Sequence, residues 1–287
     1  MLDSHFFILC CVATAASALI SLGGHAIAGR TASARSDSFP AAVSLASMAV
    51  GLFILIGWHG MPPRDVQGWL PISALVFAVL IVVESATVGE RLRWAISAFT
   101  IGGGAAFLLL RPLQELSAHL IPWIGGAAVV AALLAWSWQR SLAAVNAGTG
   151  RIVLAIGAAG SCACLVLLGS ARIGSLAGVE LAAIAAPLAL LWWRSPALGA
   201  LPAAAAAMIA ITWLLLMYVE GPAWWPAACL IGIGPLACLV GHAGMCVRWP
   251  RLSTALVVLA VICCSAAAVG WTATWAQPAE TADDCGY

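Results

Sequence analysis

The chain has no lysine, and its 287 residues carry only 12 arginines and 11 acids. A soluble domain is about 25% charged; this one is 8% charged, too little to clothe a water-facing surface. Without lysine, neither a Schiff-base amine nor a phosphate-loop lysine is available. The net charge of +1 draws the chain to neither nucleic acid nor acidic partners. None of the ten cysteines forms Cys-x-x-Cys, and no two of the five histidines have the i, i+4 spacing of a helical metal pair. No cofactor and no metal site is therefore expected. Alternating polar and apolar positions are also missing, which argues against a membrane β-barrel. No positive charge stands in Met1-Leu2-Asp3-Ser4-His5, so the first apolar run is expected to be a retained helix rather than a secretory signal.

What remains is apolar. The chain is 63% hydrophobic with a mean hydropathy of +1.05. A helix needs ~20 apolar residues to cross the hydrocarbon layer, and continuous runs of that kind occupy residues 6–28, 40–58, 69–89, 94–110, 119–138, 152–170, 174–193, 199–219, 225–247 and 252–275. The fold class expected is all-α: a polytopic integral membrane bundle of about ten spans, forming one transmembrane domain over 1–287. The loops leave no room for a soluble catalytic domain. Proline in the first turn is tolerated because its missing N–H has no helical partner there, as at Pro122 and Pro202. Thirteen tryptophans, among them Trp58, Trp138, Trp192 and Trp225, fall near span ends, where an indole sits at the headgroup layer; Trp213 lies inside a span.

Arginine sets the orientation. Connections after the odd-numbered spans hold Arg30, Arg35, Arg91, Arg93, Arg140, Arg151, Arg194, Arg248 and Arg251; the opposite side holds Arg64, Arg111 and Arg172. The positive-inside rule places the larger set in the cytoplasm, so both termini are expected outside. The lysine-free, Ala-, Gly- and Arg-rich composition fits a GC-rich genome, and the location expected is a bacterial inner membrane.

Ten spans divide into halves 1–143 and 144–287, and because five is odd these would be inverted relative to each other. Ile101-Gly102-Gly103-Gly104-Ala105 in the fourth span echoes Ile231-Gly232-Ile233-Gly234-Pro235 in the ninth, and Val83-Glu84 echoes Val219-Glu220. This count and division resemble the drug/metabolite transporter superfamily in architecture. The resemblance implies cytoplasmic termini, the reverse of the arginine pattern, and carries no residue role across.

The positions able to carry chemistry are few. Glycine and proline breaks in corresponding spans can expose backbone to a mid-membrane substrate; here they are Gly102, Gly103, Gly104, Gly232, Gly234 and Pro235. The same residues also serve close helix packing. Glu84 and Glu180 lie inside spans, where a carboxyl faces a cavity, pairs or holds a proton. His25 and His242 lie at a depth comparable to Glu84 and could form a titrating cluster with it. The cysteines in the spans read as small apolar residues. Asn146-Ala147-Gly148-Thr149-Gly150-Arg151 reads as a flexible linker between the halves.

Three functions follow as expectations. The first is a small-molecule secondary transporter with its site between the fourth and ninth spans, the lipid bilayer as surroundings, and a small solute or proton as partner. The second is a non-catalytic subunit packed against another membrane protein. The third is a lipid-acting enzyme using His59, Asp65, Glu115, His119 and Glu180; no catalytic residue is assigned.

Overall fold

The computed structural model describes residues 4–31, 38–57, 66–87, 121–143, 145–168, 171–191, 201–220, 224–240 and 250–275. These are helical, with no strand among them. The long elements are α1 (Ser4–Thr31), α2 (Ser38–Ile56), α3 (Val66–Thr87), α4 (Ile121–Ala143), α5 (Ala147–Leu167), α6 (Ala171–Leu191) and α7 (Leu201–Glu220). They continue with α8 (Trp225–Ile233), a 3₁₀ turn (Gly234–Leu236), the short α9 (Ala237–Val240) and α10 (Pro250–Trp275). Among the described residues three helices contain stretches long and apolar enough to cross a membrane: Phe7–Gly24, Gly148–Leu167 and Leu252–Thr274. Shorter apolar stretches run through Ala42–Ile56, Leu70–Val79, Ile173–Ala186 and Trp225–Leu239.

Helix boundaries follow local chemistry. Pro40, Pro122, Pro202, Pro226 and Pro250 all stand in first turns, where the absent N–H is harmless. After α2, Gly57 adopts φ 82°, and its N–H bonds the Phe53 carbonyl at 2.9 Å. That left-handed closing turn suits a residue without Cβ. The α4–α5 connection differs from the expected linker. Asn146 is a helix N-cap: its side chain accepts from the Thr149 N–H at 2.8 Å, and helix begins at Ala147. Glycines at 148 and 150 make the segment resemble a loop, but the cap and the burial of Thr149 and Arg151 hold it helical.

Neighbouring helices pack as α3–α2–α1–α6–α5–α10–α8, and α4 packs against α7. Residues from both sequence halves thus share one core, including Leu45, Met48, Phe77, Leu154, Ile184 and Met208. Close approach is made by small residues. A Cβ on Gly160 would stand 2.9 Å from Ser265 Cβ, and one on Gly174 2.6 Å from Val166 Cγ2.

Helix α1 runs parallel to α6. Ser17 Oγ donates to the Val179 carbonyl at 3.4 Å, and Ser21 Oγ to the Ala183 carbonyl at 2.7 Å. The second bond answers a specific need. Pro187 lies inside α6 and has no N–H, so the carbonyl four residues back, Ala183, loses its helical donor. Ser21 supplies the replacement from another helix. Ser21→Ala is expected to lower stability by about 1–2 kcal/mol, the range of an interhelical bond plus an unmet buried carbonyl. In a Pro187→Ala background, where the backbone donor is restored, the same substitution should cost much less. Unfolding of the four variants in detergent micelles measures the coupling, and equal costs in both backgrounds would discard this account.

Candidate functional site

Two places draw together the chemistry that the sequence offers. The first is Glu180, midway along α6 and only 1% exposed. Among the described residues its Oε2 has no hydrogen-bond partner. The flanking residues explain its burial. Val179 meets Gly51 of α2 and Ser17 of α1, while Ala183 meets Ser21. On the α5 side, Cys162 lies within electrostatic reach of the carboxyl, and its thiol donates to the Gly174 carbonyl at 3.4 Å. Helices α1, α2 and α5 thus pack beside the stretch of α6 that carries this buried carboxyl. A buried carboxylate is costly unless it is paired, hydrogen-bonded or protonated.

The second place is the break in α8. The α-helix ends at Ile233, and Gly234–Leu236 tighten to a 3₁₀ turn in which the Ala237 N–H reaches Gly234 O. Pro235 imposes this, because it offers no N–H to Ile231. The Gly232 carbonyl at this break receives the indole N–H of Trp138 from α4 at 2.8 Å. Trp138 is thus a buried core residue, not the interfacial anchor expected from its place at a span end. The α4 helix continues to Ala143, which carries Trp138 inward. Beside it on the exposed face, Arg140 stacks over Trp136 at 5.4 Å, the kind of pair suited to a headgroup layer.

Between α4, α7 and α8 this break borders an apolar cavity of about 350 Å³, lined among others by Val130, Leu134, Ile209, Trp213 and Ile233. The Trp213 indole N–H is also used, bonding Ser161 Oγ of α5 at 2.9 Å. Glu180 does not line this cavity, so the two places are separate.

The remaining expected positions are only partly visible. Glu84 lies on α3 and His25 on α1, their backbones helical. His242, Gly102, Gly103 and Gly104 lie outside the described residues, as do His59, Asp65, Glu115 and His119. Among the described residues no three of the metal-ligating types come together.

Sequence reasoning missed three features. Arg151, counted among loop arginines, is 1% exposed on α5. Gln139 is buried near the end of α4, with Oε1 lacking a hydrogen bond among the described residues. The Ser21–Ala183 bond had one readable sign, a proline inside an apolar span. Comparison with family models, curated proteins and solved structures gives no match.

Proposed function

We propose that the chain is a bacterial inner-membrane protein of about ten spans that carries a small molecule across the bilayer, with Glu180 as its proton- or cation-binding carboxyl. The observation that carries this is a fully buried carboxyl in the middle of a helix, one oxygen unbonded among the described residues. Ionisable groups kept at such depth mark ion and substrate paths.

The parallel run of α1 and α6 supports the span count. Helices that cross in alternation run parallel only when separated by an even number of steps, and the described long helices alone leave five steps between these two. One further crossing between them restores the parity and agrees with a fourth span. With that count, the arginine pattern puts both termini outside. The 3₁₀ break in α8 is one half of the pair of interruptions that an inverted repeat of 1–143 on 144–287 calls for.

The test is uptake into proteoliposomes from a mixed solute library under an imposed proton gradient. At least one solute is expected to accumulate with the native protein and to fall several-fold with Glu180→Gln, while this variant melts no lower. Accumulation indifferent to Glu180→Gln removes the carboxyl from the mechanism.

A second reading, a static subunit of a membrane complex, is favoured by one observation. One carbonyl at the α8 break, that of Gly232, is already bonded by Trp138. No accumulation of any solute, with Glu180→Gln melting higher, selects that reading.

A further inference from the structure

We infer that the cavity between α4, α7 and α8 is a binding site for the hydrocarbon tail of a lipid or fatty acid. The inference rests on the membrane reading above, but not on transport. Four observations identify the occupant.

The first is chemistry. The two indole N–H donors on the wall both point to protein acceptors, Trp138 to Gly232 and Trp213 to Ser161. With those donors engaged, the side chains of the rest of the wall are aliphatic, Val130, Leu134, Ile209 and Ile233 among them, apart from the Cys229 thiol. A polar ligand would leave its own hydrogen-bonding groups unmet, at about 1–3 kcal/mol each. A hydrocarbon loses nothing.

The second is size. An apolar cavity of ~150 Å³ holds a benzene ring, so about 350 Å³ takes roughly twice that many carbons. This is a substantial part of an acyl chain and more than a packing defect.

The third is access. Val130 is 48% and Ile233 56% exposed, and Val129 and Leu133 continue the same apolar surface along α4. The mouth therefore opens sideways, onto the surface that lipid would bathe, and not toward a helix end.

The fourth is depth. The wall runs along α4 from Val130, midway in that helix, to Trp138, level with the Arg140–Trp136 pair, and takes in residues 206–213 of α7 and 228–233 of α8. In a bilayer that course runs from the hydrocarbon interior toward the headgroup layer, as an acyl chain itself does. A tail entering from the side would lie along Val130, Leu134 and the Trp138 ring.

The experiment is photolabelling in phosphatidylcholine vesicles, using a fatty acid with a diazirine near its methyl end, followed by peptide mapping. Label is expected on the α4 and α8 cavity peptides several-fold above the outward faces of α1 (Phe7, Leu19) and α10 (Leu256, Ile262), which are also exposed. It should be displaced by excess unlabelled fatty acid and lost in Ala210→Phe, which fills the cavity. Displacement needs no mutation, so it decides the matter even where that variant misfolds. Equal, non-displaceable label on cavity and outward faces overturns the inference and leaves the membrane reading standing. No label on any helix removes both.

Discussion

Trp138→Ala is expected to destabilise the protein by about 3–5 kcal/mol, the range for removing a large buried aromatic. Trp138 is among the largest side chains with no effective exposure. Its ring fills space beside Gly157, where an added Cβ would lie 3.4 Å from the Cη2 atom. Its N–H also holds the Gly232 carbonyl at the interrupted helix. Trp138→Phe separates these contributions, because it keeps most of the volume and removes only the donor. It should cost about 1–3 kcal/mol, the penalty for an unmet buried carbonyl. Pro235→Ala allows the helix to close its own backbone bonds, so the loss in Trp138→Phe should shrink when the two are combined. Unfolding in micelles, read by tryptophan-independent circular dichroism, gives the order native, Phe, Ala from most to least stable. A silent Trp138→Phe would show that packing alone holds the break.

Gly51→Leu is expected to prevent folding, and Gly51→Ala to cost about 1–3 kcal/mol by overpacking. Three helices converge on this position. A Cβ built there meets Val179 Cγ1 at 2.6 Å, Ser17 Cβ at 2.9 Å and the Ala13 carbonyl oxygen at 3.0 Å. The valine methyl could swing aside, but the Ala13 oxygen belongs to the α1 backbone and moves only with its helix. Displacing α1 also strains the Ser17 and Ser21 bonds to α6. The control is Gly125→Ala on α4, where an added Cβ meets nothing within 4 Å. There alanine should be neutral or stabilising by up to about 1 kcal/mol, through helix propensity. Melting temperatures that fall for Gly51→Ala and hold or rise for Gly125→Ala establish the contrast. Similar changes at both positions would refute the close approach of α1, α2 and α6.

The helical class is legible in the sequence because the apolar runs are long and apolar on every side, a pattern that neither a strand nor a surface helix shows. Helix edges are less so. Asn146 carries a capping signal, but glycines at 148 and 150 argue for a loop, and only tertiary burial of Thr149 and Arg151 resolves the conflict. Ending the fifth span at Trp138 placed the indole at a headgroup layer; five more helical residues put it in the core. The place of Glu180 inside an apolar run is legible in the sequence, whereas the packing of α1, α2 and α5 beside that stretch of α6 depends on which helices meet, and periodicity does not encode that. The α8 interruption was legible from Gly-Ile-Gly-Pro, but its Trp138 donor lies 94 residues away.

The bond from Ser21 to Ala183 also has a history in time. Its two ends are separated by 162 residues of chain. At ~5–20 residues per second of synthesis, the ribosome makes the second end roughly 8–32 s after the first. During that interval α1 exists without the carbonyl that its serine will serve, and when α6 emerges with Pro187 it carries an unmet carbonyl until α1 reaches it. The first helix made is thus a waiting partner for one made far later. Its attachment to α6 belongs to a late stage of assembly, after the intervening helices have left the ribosome.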